Sequence, residues 1–287
     1  MIYLDNGATT FPKPEVVYQA MDTFARTGAV NAGRGAYAAA RAADQMIKNV
    51  RAGLISLMDA REQAQVVLTP SVTIALNQII YGQAWTENSI AYVSPYEHNS
   101  VLRPLHVLSK KIGFQVLELP LAEDLSIDLA KTAAMFEENP PSFVAGTAGS
   151  NVTGYILPHR EIFRLARRYR AFNLLDGSQA VGLIRLRFAQ TMADAICFAG
   201  HKTLYGPFGI AGFLIKNSAK LQVTLAGGTG TKSEDLAMPT SLPGSMEAGS
   251  KDTVAIAGLD AALKWLPSSM SVPWPPTSSK RRERSTV

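Results

Sequence analysis

Short apolar runs recur along the chain, separated by longer stretches in which apolar residues return every three or four positions. The runs are 65–68, 89–93, 114–119, 142–146, 171–175, 195–199 and 212–216. Most are apolar at both odd and even positions, the pattern of a strand buried on both faces rather than one with a wet side. Between them, 14–27, 39–58, 101–112 and 160–169 carry helical periodicity. This alternation predicts an α/β fold, a mostly parallel seven-stranded sheet with helices on both faces. Ligands of such sheets bind beyond the carboxyl ends of the strands, so the polar residues that follow each apolar run are the first candidates for chemistry.

The pattern stops at residue 267. Residues 267–287 are rich in Pro, Ser and basic side chains without apolar periodicity, which predicts a disordered tail after a folded unit of 1–266. The segment 259–266 reads as the first turns of a helix that ought to continue. A chain of 287 residues with 47% hydrophobic content is long enough for one large domain.

Charge narrows the choice of partners. Of the net charge of +5, the last eight residues supply +3, from Lys280, Arg281, Arg282 and Arg284 against Glu283. The remainder is nearly neutral, which argues against nucleic-acid binding. No run approaches the roughly 18 apolar residues of a membrane span, and Met1 to Asp5 lack the basic and apolar regions of a secretion signal. A cytoplasmic location without membrane contact is therefore expected. The one cysteine, Cys197, permits neither an internal disulfide nor a cysteine metal cluster, and its place inside an apolar strand predicts an inert core thiol. The four scattered histidines do not suggest a metal site.

Five strand ends carry candidate chemistry. Gly200-His201-Lys202 follows the run at 195–199, where a desolvated lysine could act as an amine nucleophile or be an ordinary loop lysine. Leu174-Leu175-Asp176-Gly177-Ser178-Gln179 ends a strand in a carboxylate. Such a group could pair with the ring nitrogen of a pyridoxal cofactor, or simply cap the next helix. Thr69-Pro70-Ser71-Val72-Thr73 leads into a helix whose backbone amides and Thr73 suit a phosphate, although plain capping uses the same residue types. Glu97-His98 presents a ring that could stack on an aromatic cofactor or be solvated. Gly149-Ser150-Asn151 has the composition of a turn, which by itself accounts for Asn151.

Taken in order, these segments resemble the class V, fold-type I pyridoxal-phosphate enzymes. With Tyr3-Leu4-Asp5-Asn6-Gly7-Ala8-Thr9-Thr10 added, they look like the cysteine desulfurase branch, over about residues 1–266. The resemblance implies the large domain of that fold, with pyridoxal 5'-phosphate on Lys202. It implies that Asp176 faces the ring nitrogen, Gln179 the phenolic oxygen and His98 the ring face. Thr73 and His201, with Ser71 and Val72 at the same helix start, would hold the phosphate. Asn151, Arg34 and Ala8 would lie near the substrate, and Ser250 would reach the phosphate of a partner subunit in a homodimer. The implied reaction takes L-cysteine to L-alanine and passes sulfur to a thiol, which a sulfur-acceptor protein could supply. Lys202 and His98 would move the protons.

The match departs from the family at two places. Ala199 stands where the family carries a serine that helps to bind phosphate. The small C-terminal domain, on the order of 100 residues, that brings a substrate-binding arginine and a sulfur-accepting cysteine has no counterpart before the pattern breaks. A C-terminally truncated desulfurase, binding cofactor but turning over weakly or not at all, is therefore expected. The alternatives are a class V aminotransferase or selenocysteine lyase, and a non-catalytic remnant of a disrupted gene.

Overall fold

A computed structural model of the protein describes residues 2–32, 35, 37–230 and 235–266. The predicted tail at 267–287 and the candidate Arg34 lie outside the described residues. The elements run α1 (Glu15–Thr27), α2 (Ala38–Leu57), β1 (Ala64–Thr69), α3 (Val72–Tyr81), β2 (Ile90–Val93), α4 (Asn99–Ile112), β3 (Gln115–Glu118) and α5 (Leu129–Glu138). They continue with β4 (Phe143–Thr147), α6 (His159–Ala166), β5 (Phe172–Asp176), α7 (Phe188–Thr191), β6 (Ala195–Ala199), β7 (Ala211–Lys216) and α8 (Thr253–Trp265).

All seven apolar runs are strands of one sheet, ordered β1-β7-β6-β5-β4-β2-β3. Only β7 runs against the others, pairing antiparallel with β1 and β6. The connection from β6 to β7 contains no helix, and parallel neighbours need a crossover of a dozen or more residues. Eleven intervening residues therefore return the chain in the opposite sense. β7 also lies so close to β1 that a Cβ on Gly212 would stand 2.1 Å from the carbonyl oxygen of Val67, a separation only glycine allows.

Alternate strand residues feed two cores, as the two-faced apolar pattern requires. In β6, Ile196 and Phe198 join the core that receives α2, α5, α6 and α8, while Ala195 and Cys197 join the one that receives α3 and α4. The exception is β3, whose terminal residues Gln115 and Glu118 are exposed because it is the sheet edge. Helix α5 was not among the predicted helices. Its buried face consists of Thr132 and Phe136 alone, one pair at helical spacing, which leaves little periodicity to detect.

The reading of 259–266 as the beginning of a helix is corrected. These residues are the final turns and C-cap of α8, which starts at Thr253 after Asp252 accepts the Ala255 amide at 2.8 Å. Leu259 and Ala262 are fully buried, and α8 packs against α1 and α2. We expect Leu259→Ala to cost about 2–5 kcal/mol through lost burial and the resulting cavity, measurable as a lower urea midpoint with an unchanged slope.

Candidate active site

The ends of β1, β2, β4, β5 and β6 open on a common edge of the sheet, and the segments after them line one cavity of about 170 Å³. Val72 and Thr73 come from the start of α3, and His98 from the start of α4. Asn151 follows β4, while Asp176 and Gln179 stand at and after β5. His201 and Lys202 follow β6. Most of the residues singled out from sequence are thus brought together, although 129 positions separate Thr73 from Lys202 in the chain.

Asp176 closes β5 between Thr147 of β4 and Cys197 of β6 and is 5% exposed. Its Oδ1 accepts the Ser178 amide at 2.9 Å and the Ser178 hydroxyl at 2.5 Å. The spacing Asp-Gly-Ser makes this local turn possible, because the side chain can bond the backbone two residues on. The carboxylate acts on its surroundings: it opposes the effect of burial on the Lys202 amine, and it adds to burial in pushing the Cys197 thiol well up. Cys197 is fully buried, as expected of an inert core thiol.

Lys202 projects from a turn that needs Gly200, where a Cβ would come within 2.5 Å of the Ile210 carbonyl oxygen. The lysine is held below its ordinary range chiefly by desolvation, which favours the neutral, nucleophilic amine. The N-terminal segment straps this turn in place. Thr10 donates from its amide to the His201 carbonyl at 3.0 Å and from its hydroxyl to the Lys202 carbonyl at 2.7 Å. Thr9 Oγ1 and Lys13 Nζ also donate to the His201 carbonyl, at 2.9 and 2.8 Å. Desolvation lowers Lys13 itself to about 8.

The His201 ring stacks on Phe208 with centroids 4.4 Å apart. Burial, then Lys202 and Lys13, depress its pKa to about 4. Its Nδ1 is buried without a hydrogen-bond partner. A second cluster joins α3 to α4. His98 caps α4, its Nδ1 accepting the Ser100 amide at 3.0 Å, and Ser100 Oγ lies 3.0 Å from Thr73 Oγ1. Because Nδ1 accepts, the neutral ring carries its proton on Nε2.

Three of the sequence candidates stand outside this cavity. Ser71 caps α3, its Oγ accepting the Ile74 amide at 3.3 Å. Ala8 is exposed in a turn, where its amide donates to the Asp5 carbonyl at 3.1 Å. Its neighbour Gly7 provides the link to the site, because the Gly7 carbonyl accepts Gln179 Nε2 at 2.8 Å. Ser250 lines a separate cavity of about 230 Å³ with Asn31 and Lys251. Sequence reasoning missed Ser178, Ser100, Thr147 and Lys13. Of these, only Ser178 had a local signal, the Asp-Gly-Ser turn.

The donor set fits a pyridoxal-type cofactor. A desolvated amine and a buried carboxylate share the cavity, and the unpartnered Nδ1 of His201 is a polar atom that a ligand could satisfy. Among the described residues no group of His, Cys, Asp and Glu could hold a metal ion.

Comparison with known proteins identifies the family. The family model described as aminotransferase class-V matches residues 2–274. The chain is 32% identical over 279 residues to a cysteine desulfurase of Salmonella newport, covering 93% of this chain and 67% of the relative. It is 29% identical over 276 residues to a cysteine desulfurase of Shigella sonnei, with the same coverage. Among solved structures, the apo cysteine desulfurase from Thermococcus onnurineus NA1 superposes with a TM-score of 0.84 at 24% identity, and the cysteine desulfurase CsdA (S-sulfonic acid) from Escherichia coli with 0.79 at 27%. Each covers 92% of this chain, and the chain covers 67% of each.

The depressed pKa of His201 has a consequence for stability. Between about 6.5 and 4 the unfolded chain binds a proton that the folded ring refuses, so stability is present above pH 6.5 and is lost as pH falls through 4. The buried His159, also lowered to about 4, acts in the same sense. Thermal melts of the cofactor-free protein across this range should show the decline, and His201→Asn should make it shallower while leaving the His159 share.

Proposed function

The chain belongs to the aminotransferase class-V family, a family of enzymes, and we propose that within it this protein is a pyridoxal-phosphate-dependent enzyme of the cysteine desulfurase type. The proposed reaction converts L-cysteine and a thiol to L-alanine and a persulfide. The observation that carries the proposal is that the Lys202 amine and the Asp176 carboxylate line one cavity at the ends of adjacent strands.

When bound, pyridoxal phosphate would supply an electron sink for the charge left on the substrate Cα. The chain's own groups would provide the rest. Lys202 would anchor the cofactor and, with its amine neutral through desolvation, take the Cα proton on Nζ. Asp176, held by Ser178, would bind the ring nitrogen, and Gln179 would bind the phenolic oxygen. His98 would lie over the ring with its Nε2 proton available for delivery. Thr73, Val72 and the neutral His201 would hold the phosphate, together with Ser71 through the helix start that it caps. Asn151, Arg34 and Ala8 would complete the substrate side.

The sulfur would leave to a thiol other than Cys197, which is fully buried and held protonated. The sequence has no other cysteine, so that thiol would come from outside these 287 residues, from a small molecule or an acceptor protein. The protein would act as a homodimer in which Ser250 reaches the partner's phosphate. A cytoplasmic setting suits a thiol-dependent reaction, and no helix among the described residues is long and apolar enough to cross a membrane.

The purified protein titrated with pyridoxal phosphate should develop a visible absorption band that Lys202→Ala abolishes. Adding L-cysteine should shift the band and release alanine. A band without alanine would restrict the protein to cofactor binding, and the absence of any Lys202-dependent band would refute the proposal. Cys197→Ser should leave alanine formation within about twofold of wild type, because a core thiol takes no part in exchange; a loss of the order of a hundredfold would make it the sulfur acceptor.

A further inference from the structure

Glu97 precedes His98 and is 9% exposed, a buried carboxyl group bonded to Thr147, which lines the candidate site. Its Oε1 accepts the Thr147 amide at 2.6 Å and the Ser94 hydroxyl at 2.5 Å. It thereby ties the segment between β2 and α4 to the end of β4. Thr147 continues the connection: its Oγ1 donates to the Gly149 carbonyl at 2.9 Å and lies 3.5 Å from the Asp176 carbonyl. The second oxygen, Oε2, is buried with no hydrogen-bond partner.

An ionised carboxylate so placed would need a cation or further donors. Among the described residues Glu97 makes no ion pair. Among the described residues, its hydrogen-bond partners are the hydroxyl of Ser94, just after β2, and the amide of Thr147 in β4. From β5 it meets Asp176, of like charge. From α4 the next titratable group is His98, whose Nδ1 is engaged by Ser100. Lys202 and His201 enter the cavity from the turn after β6, and of the two Lys202 is coupled to Asp176.

We propose that Glu97 is a positioning residue that works as a neutral carboxylic acid, fastening His98 and the start of α4 to the end of β4 without adding a second negative charge beside Asp176. Burial, reinforced by Asp176 and opposed by the two hydrogen bonds, pushes its pKa up to about 8. The role in cofactor binding rests on the function proposed above; the protonation state does not.

Infrared difference spectra of the cofactor-free protein, labelled with carboxyl-13C glutamate, test the protonation state directly. At pH 7 wild type should show the carbonyl band of a protonated acid, lost in Glu97→Gln and lost in wild type above about pH 8. Absence of the band at pH 7 overturns the proposal. Stability gives a second readout. The unfolded glutamate ionises near 4.5 and the folded one near 8, so wild type should lose stability relative to Glu97→Gln as pH rises between those values.

Pyridoxal phosphate then tests the positioning role. Glu97→Gln, which keeps the acceptor oxygen, should bind within about twofold of wild type. Glu97→Ala, which strands two donors, should bind about tenfold or more weakly. Equal losses in both variants would show that charge is what matters, and no loss in Glu97→Ala would remove the positioning role; either result overturns the proposal. If wild type binds no pyridoxal phosphate, the proposed function fails while the infrared band still decides the state of Glu97.

Discussion

A carboxylate buried at the end of a central strand must be satisfied by fixed neighbours, and Asp176 imposes that condition on the whole floor of the site. Ser178 supplies two donors to Oδ1, which fixes the turn after β5 and so the position of Gln179. The same charge acts on Lys202, on Cys197 and on Glu97, groups carried by three different segments. Their responses differ because their charges differ: a negative neighbour favours the ammonium form of Lys202 but opposes ionisation of Cys197 and Glu97. Desolvation is the larger effect on all three: it shifts Lys202 toward its neutral, nucleophilic amine against the pull of Asp176, and it acts together with Asp176 to keep Cys197 and Glu97 neutral. Burial and one charge together therefore set an amine shifted toward its nucleophilic form beside a thiol and a carboxyl group that stay protonated.

The sheet makes this arrangement possible by ending five strands on a common edge, and the N-terminal segment completes it. Thr9, Thr10 and Lys13 converge on the carbonyls of His201 and Lys202, while Gly7 holds Gln179. Residues 7–13 thus touch two of the five strand-end segments. The Lys202 turn has little freedom of its own, since Gly200 and the helix-free return into β7 leave it short. The strap and the turn together hold the amine against the pocket, an arrangement consistent with the proposed covalent role.

Much of the fold was legible because a sheet covered on both faces makes each strand uniformly apolar. All seven strands could be found, and alternate residues of β6 divide between the two cores. The misread segment 259–266 fails for a related reason: α8 is buried between α1 and α2, and a helix apolar on most sides has a weak periodic signal at its beginning. Helix α5, with one buried pair, lacked signal for the opposite reason. At the site, Asp176, Lys202, His98, Thr73, Asn151, Gln179 and His201 could be nominated from their places after apolar runs. Ser71 caps the helix whose start lines the site, and Ser250 lines a separate cavity.

The sequence by itself determined the α/β class, the seven strands and the chemistry available at their ends, because burial on two faces and strand-end polarity are local properties of the chain. It could not determine which strand ends meet, that β7 reverses direction, or that Glu97 is linked through Thr147 to the end of β5. Those depend on strand order and on contacts such as Glu97 with Thr147, 50 residues apart, and Thr10 with Lys202, 192 apart. Desolvation and Coulomb interaction are set by distance in space, so the electrostatic character of each candidate was decided only when the tertiary structure brought the five strand ends together.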